Sequence, residues 1–575
     1  MLCPKCGKQI AEDADVCPCC GATIQLVVPT PLNAQVQGPA RVIPAHPESA
    51  EEGEERESGM NRLTRDIGRK SKFVATIATV CVALVLALVK FSAVSSHMSF
   101  DSQDGAAFLH NAAYLAGLRS SPAFLILDGY PPGFPFLLSI LLRVNGQIVN
   151  DGWALSVALF FTAMMACFWI SRRVMNPYFA LLASISFGIS PQVYEWAGMI
   201  ITNVEGVALA AASFALLVYA TRANRWWYLV AFPLMALATL TRFTMATIFV
   251  PVIVYLVLER GRVKQRLRFV MGGLVALAIV AAVISYQWVA AALSQNEIGQ
   301  LLPAPLTGQE SLGVSYYAVH FAANLAPGAY GLISSGLLIC SIAYIVGQSL
   351  RRRYSDVDPA IYALLAWFVT LFLYYSLVWP SPTLRYSLDF VMPVFVLGYW
   401  FLSKAVGFLS SHVAFGTNGL KSVLALLLIV TAIVGTVYPA FSSADYVVTT
   451  PPYSYQVSFG QLNTGVSQAS YWLQQNVNTD VRIAASGGGW LFQSLAPQFN
   501  VDPFYPGNNC NSLKLELSRD GDGYLVIISG IYVGDDSGCP FSSIQVNATF
   551  WHMIGITPVH VVATAQGNIT IFKVI

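Results

Sequence analysis

Apolar runs at roughly 73–94, 153–171, 177–193, 204–221, 226–241, 243–258, 269–292, 328–348, 359–379, 386–407 and 422–440 recur along this 575-residue chain. No water-soluble core takes up so many, and a bilayer crossing needs about 20 such residues. With 55% hydrophobic and 11% charged residues and a mean hydropathy of +0.58, the chain is a polytopic membrane protein and not a soluble globule. The runs 226–241 and 243–258 are short and share a tight break at Thr241-Arg242-Phe243. They read either as two crossings or as one kinked hairpin.

Positive charge orients the runs. Lysine and arginine gather at Arg56–Lys72, Arg172-Arg173, Arg222/Arg225, Arg260–Arg268, Arg351–Arg353 and Lys404/Lys421, whereas the alternate loops hold only Arg119, Arg143, Arg242 and Arg385. By the positive-inside rule the first set is cytoplasmic. The alternation closes if the apolar stretch 134–149, which contains Arg143, is an interfacial helix and not a span. About eleven transmembrane helices follow, in a multi-pass cell-membrane protein with a cytoplasmic N-terminus and an exterior C-terminus. A signal peptide is not expected ahead of a first apolar run that begins at residue 73.

The flanks differ in kind. Within 1–24, Cys3-Pro-Lys-Cys6-Gly and Cys17-Pro-Cys-Cys20-Gly form a CxxC…CxxC pair, and four thiolates satisfy tetrahedral zinc. A ribbon this short takes its folding energy from the metal, so structural Zn²⁺ is the expected cofactor. Such a ribbon suits a cytoplasmic protein partner better than chemistry. Residues 25–72 read as a disordered acidic linker and a basic juxtamembrane segment, and 73–440 as the membrane domain. Alternating runs such as 524–529 and 560–563, with a helical stretch at 467–475, make 441–575 a small α/β exterior domain. There Cys510 and Cys539 stand either free or bonded, and Asn547 and Asn568 match the glycosylation-acceptor pattern.

With this topology the exterior segments collect the chemistry. Asp101, Asp104, His110 and Asp128 lie in the first, Glu195, Asn203 and Glu205 in the third, Arg242 in the next, and Arg385, Tyr386 and Asp389 in a late one. A carboxylate can take a proton from an attacking hydroxyl. A guanidinium forks onto phosphate oxygens and stabilises a departing phosphate. Each residue also has a plainer reading: Arg385 as an interfacial side chain, Glu205 as a favourable charge at a helix N-terminus, and His110 as a packed histidine.

Taken in order, the motifs resemble a family. Asp104-Gly-Ala-Ala-Phe108-Leu-His-Asn-Ala112 is similar to the first-loop motif of GT-C glycosyltransferases of the protein O-mannosyltransferase and aminoarabinose-transferase type, an acidic residue followed by an aromatic four positions on and a small residue eight on. Tyr130-Pro-Pro-Gly-Phe-Pro135 resembles the family's proline corner. Ser190-Pro191 with Thr202-Asn-Val-Glu205, Leu240-Thr241-Arg242-Phe243-Thr244, and Leu384-Arg385-Tyr386 with Pro393 resemble its later segments. The likeness spans roughly 73–440. The family commonly has Asp-Glu where this chain has Asp104-Gly105, so the base stays open between Asp104 and Asp101, with the aromatic spacing favouring Asp104. The zinc ribbon is no part of the family core, and its fusion here resembles archaeal architecture.

The resemblance implies a GT-C-like all-α membrane fold and inverting transfer of a sugar from a polyprenyl- or dolichyl-phosphate carrier to a protein, lipid or glycan acceptor on the outer face. It implies Asp104 as general base, Asp101 as second carboxylate, Arg385 with Arg242 and Tyr386 on the lipid phosphate, and Glu205 and Glu195 on sugar or acceptor hydroxyls. A divalent cation at the active site stays open, and no nucleic acid is expected. A lipid-linked-sugar flippase or a membrane scaffold are the competing classes. The flippase should carry charges inside its spans, where this chain has few.

The purified chain is expected to carry zinc that Cys6→Ser or a chelator removes. A wild-type chain free of zinc by atomic emission overturns the ribbon.

Overall fold

A computed structural model describes residues 48–97, 103–118, 131–146, 148–294, 331–351, 353, 356–377, 384–412, 426–427, 430, 468–478, 481–486, 500–504, 523–528, 556–564 and 567–574. The zinc-ribbon cysteines Cys3, Cys6, Cys17 and Cys20 lie outside them, as do Asp101, Asp128, Cys510, Cys539 and Asn547, the side chain of Asn568, and nearly all of the apolar run 422–440. The chain forms two units, Met1–Ile67 and Gly68–Ile575; the described part of the first is the helical stretch 48–67.

The helices, in order, are α1 (Glu48–His97), α2 (Gln103–Leu115), α3 (Gly133–Asn145), α4 (Ile148–Val174), α5 (Pro177–Ile189), α6 (Pro191–Trp196), α7 (Thr202–Arg222), α8 (Tyr228–Thr241), α9 (Phe249–Leu258), α10 (Arg260–Gln265), α11 (Leu267–Ser294), α12 (Gly331–Leu350), α13 (Pro359–Leu377) and α14 (Val391–His412). Seven segments among the described residues are long and apolar enough to cross a membrane, within α1, α4, α7, α11, α12, α13 and the 388–408 stretch that includes most of α14. The apolar runs at 177–193, 226–241 and 243–258 form shorter elements, α5, α8, and a 3-10 turn (Phe243–Ile248) leading into α9.

Helix α7 is the centre of the bundle. Of its apolar window 83% is buried, against 22% for α1 and α12 and 17% for α11, which present most of their surface outward. Its inner positions are mostly small, with Gly206, Ala208, Ala210, Ala211 and Ala220 all buried, which lets neighbouring backbones come close. Larger side chains lock it to its neighbours: Phe214 meets Tyr255 of α9 and Trp367 of α13 edge-on, at 5.8 and 6.2 Å. Local signals set several boundaries. Asn176 caps α5 by accepting the Tyr178 amide at 3.0 Å, with Pro177 in the first turn. Gly146, at φ +73°, ends α3 in the left-handed conformation that glycine adopts without strain.

At 13 residues α3 is too short to cross. One face is buried through Phe134, Leu138 and Leu142, while Val144 is 87% exposed, so the stretch with Arg143 packs on one side only. Beyond the bundle, a five-stranded sheet in the order β2-β1-β3-β5-β4 joins β1 (Arg482–Ser486), β2 (Asn500–Phe504), β3 (Gly523–Ile528), β4 (Ile556–Thr564) and β5 (Gly567–Val574). β2, β1 and β3 run parallel, β5 and β4 pair as an antiparallel hairpin, and residues 468–476 form a helix whose Trp472 stacks on His560 at 4.8 Å.

Two elements approach closely where the proline corner meets the break after α8. A Cβ on Gly133 would lie 2.5 Å from the Thr241 amide nitrogen and 2.6 Å from the Leu240 carbonyl carbon. Backbone atoms cannot swing aside as a side chain can. Gly133→Ala is therefore expected to lower the unfolding midpoint, at an overpacking cost of about 1–3 kcal/mol. Gly347→Ala in α12, where nothing lies within 4 Å, serves as the control. Equal midpoints for the two variants overturn the contact.

Candidate active site

The break after α8 exists because Arg242 leaves the helical region. Its φ of −152° and ψ of 116° are extended, its amide still donates to the Ala238 carbonyl at 3.0 Å, and its carbonyl accepts from Met245 at 2.8 Å to start the 3-10 turn. The turn throws the side chain across the bundle. Arg242 Nε donates to Asp389 Oδ2 at 2.9 Å, and Nη2 reaches the Tyr375 hydroxyl at 3.4 Å. The guanidinium lies 5.4 Å from the centre of the Tyr386 ring, which itself stacks on Tyr375.

Asp389 is wholly buried in a second 3-10 turn, Leu384–Phe390, at the head of α14. Its Oδ2 accepts from Arg242, from Thr244 Oγ1 at 2.7 Å and from the Tyr375 hydroxyl. Its Oδ1 has no partner among the described residues. Three donors converge on Oδ2, the compensation that a buried carboxyl group needs in an apolar surrounding.

Glu205 sits in the first turn of α7, fully buried, with the Ser156 hydroxyl of α4 and the Arg242 guanidinium as its polar neighbours. The next residue explains its proximity to the pair. A Cβ on Gly206 would stand 3.0 Å from Arg242 Cβ, so the absent side chain lets the arginine stem lie against α7. Arg242 thus lies with its stem against α7 at Gly206 and its guanidinium on Asp389.

The remaining motif segments gather at the same end. Asp104 opens α2, and its side chain lies outside the described residues. Phe108, four positions on, meets Phe134 of the proline corner edge-on at 5.9 Å, and Ala112, eight on, is fully buried. The aromatic-and-small spacing is thus the packing pattern that fixes α2 on α3. Arg143 Nη2 donates to the Leu115 carbonyl at 2.7 Å and closes the other end of α2. His110 is buried, as the packed reading expected. α3 packs on α4 and α8, and the Leu384–Phe390 turn on α6, α7, α13 and α14. Glu195 lies in α6 and Arg385 in the Leu384–Phe390 turn, both with side chains outside the described residues. Of the predicted site residues with described side chains, Glu205, Arg242 and Tyr386 come together. Asp101 lies outside the described residues.

Sequence reasoning gave no role to Asp389, Tyr375 or Thr244. One signal pointed to the first: a carboxylate at the head of an apolar run needs a cation, and Arg242 is the arginine of a neighbouring loop on the same side. Among the described side chains no three His, Cys, Asp or Glu gather as metal ligands would. Removing one partner of a buried pair leaves a bare charge, so Asp389→Ala is expected to cost about 3–5 kcal/mol of stability. The double variant Arg242→Met with Asp389→Leu should recover much of it. Additive losses in this cycle, read by unfolding in detergent, overturn the coupling.

Residues 130–286 match the sequence profile of the dolichyl-phosphate-mannose-protein mannosyltransferases. No curated protein matches the chain significantly. Among solved structures, ArnT from Cupriavidus metallidurans in the apo state aligns with a TM-score of 0.55 at 13% identity, covering 87% of this chain and 97% of its own. The same enzyme bound to undecaprenyl phosphate aligns at 0.52 and 13% identity, over 87% of this chain and 98% of its own. The mycobacterial arabinofuranosyltransferase AftD aligns at 0.50 and 17% identity, over 86% of this chain but 41% of its own. These likenesses concern the fold, and with the apolar helices and the profile match they make the chain a multi-pass membrane protein of the GT-C glycosyltransferase fold.

Proposed function

We propose that this chain transfers a sugar from a polyprenyl- or dolichyl-phosphate carrier to an acceptor hydroxyl at the bundle end that holds Arg242. The observation that carries this reading is the assembly there of a buried, partly uncommitted arginine with the five motif-bearing segments. Support comes from the mannosyltransferase profile over 130–286 and from a shared fold with an enzyme solved with undecaprenyl phosphate.

In the reaction the acceptor oxygen attacks the anomeric carbon as the carboxylate of Asp104 takes its proton. The bond from that carbon to the carrier phosphate breaks, and the bonding pair leaves on the phosphate oxygen. Attack opposite the leaving group inverts the anomeric centre. Asp101 is the second carboxylate of the loop. Arg385 receives the phosphate, helped by Arg242, whose Nη1 makes no hydrogen bond to the described residues while Nε is held by Asp389. That tether orients a guanidinium before the phosphate arrives, the arrangement that stabilises developing charge best. Tyr386 forms one wall under the guanidinium, and Glu205 and Glu195 position sugar or acceptor hydroxyls. The distribution of lysine and arginine supports an exterior site, with the N-terminus inside and the C-terminal sheet outside.

Purified chain in proteoliposomes with dolichyl-phosphate-mannose or another polyprenyl-phosphate sugar should release the carrier phosphate only when an acceptor is present. Asp104→Asn is expected to slow turnover about 10²–10⁴-fold with donor binding retained. Arg385→Ala should weaken donor binding as well. Full turnover in Asp104→Asn moves the base to another residue. Failure to consume any such donor overturns the reading.

A further inference from the structure

At the opposite end of the bundle, α1, α4 and α7 bring cations to one level around a cavity of about 770 Å³. Lys72, Arg172, Arg173, Arg222 and Arg262 line it. Among the described residues two carboxylates answer them. Arg222 is held by Glu259 and by Asp358 at 2.8 Å, and Arg262 donates to Glu259 at 2.7 Å. The other three are largely uncommitted. Arg173 reaches Asp358 only at 4.0 Å, Arg172 uses one nitrogen on the Thr76 hydroxyl at 3.1 Å, and Lys72 has no ion-pair partner among the described residues.

The rest of the wall is not that of a site for a free anion. Ala215, Leu216 and Val218 of α7 form an apolar strip running into the depth of the bundle from the cations. Trp169, Tyr219 and Trp227 flank it, 45%, 43% and 38% exposed, with Tyr219 and Trp227 in edge contact at 6.4 Å. Aromatic side chains with one apolar and one polar end gather where headgroups meet hydrocarbon. A surplus of cations at that level, above an apolar strip, matches one chemistry: an anionic phosphate attached to an acyl chain.

We propose that this cavity is a binding site for an anionic phospholipid. The phosphate lies among Lys72, Arg172 and Arg173, and the first part of an acyl chain lies along Ala215–Tyr219. Arg222 and Arg262 set the charge of the floor, fixed by their carboxylates. The site is separate from the sugar-transfer reading, since it lies at the other end of α7.

The full-length chain in detergent, titrated with phosphatidylglycerol, phosphatidylcholine or inorganic phosphate, gives the test, with native mass spectrometry reading bound lipid and the unfolding midpoint reading stabilisation. Phosphatidylglycerol should bind and raise the midpoint where phosphatidylcholine does not. Lys72→Gln with Arg172→Gln should weaken that binding by about fivefold for each charge removed, whereas Lys72→Arg with Arg172→Lys should keep it. Equal binding of the two lipids overturns the proposal, as does undiminished phosphatidylglycerol binding by the charge-removed variant. Displacement of the lipid by low-millimolar inorganic phosphate would show a free-anion site and overturn it too. Should the charge-removed variant fail to fold, the comparison of the two lipids on the wild-type chain still decides.

Discussion

A charge placed among membrane helices must find its counterpart within the protein, because neither lipid nor bulk water supplies one. The Arg242–Asp389 pair meets that condition, and much of the local architecture follows from it. Arg242 must leave the helix to reach Asp389, so α8 ends and a 3-10 turn begins. Gly206 must lack a side chain for the arginine stem to pass. Thr244 and the Tyr375 hydroxyl must arrive on the carboxylate from two further elements. A single ion pair thus ties α7, the break after α8, the end of α13 and the head of α14.

The break also carries the first loop. Gly133 presses against the backbone of Leu240 and Thr241, and Phe134 then packs on Phe108, so α2 is positioned by contacts that run back to the same residue pair. Asp104 is therefore linked to Arg242 by a short series of packed groups, although nearly 140 positions separate them in the chain.

Apolar periodicity and length made the long helices legible in the sequence, and the turn at Thr241–Phe243 was visible as an interruption. The strands at 523–528 and 556–564 were equally plain from alternation. What the sequence concealed was partnership. Arg242 reads as a cation free to bind phosphate, because the residue that holds it comes 147 positions later and belongs to a different helix. Phe108 and Ala112 read as a family signature and turn out to be steric: one aromatic and one small position that let α2 seat on α3. Glu205 was legible as a charge at a helix start, but its complete burial arises from the elements packed around α7, which no local pattern records. The shortness of α5 was likewise hidden, since composition marks apolar residues without saying where a helix stops.

Helix α7 is pinned at both ends, at Gly206 against the Arg242 stem and at Arg222 by Glu259 and Asp358. With about 1.5 Å of rise per residue, the stretch from Gly206 to Arg222 holds the two polar ends roughly 24 Å apart. It acts as a strut of fixed length. A thinner or thicker bilayer cannot be met by sliding α7 past its neighbours, since a shift by one turn would separate both sets of contacts. The mismatch must go into tilting of the bundle as a body or into deformation of the surrounding lipid. The depth of the Arg242 end below one membrane surface is then fixed by the level at which the other end is held.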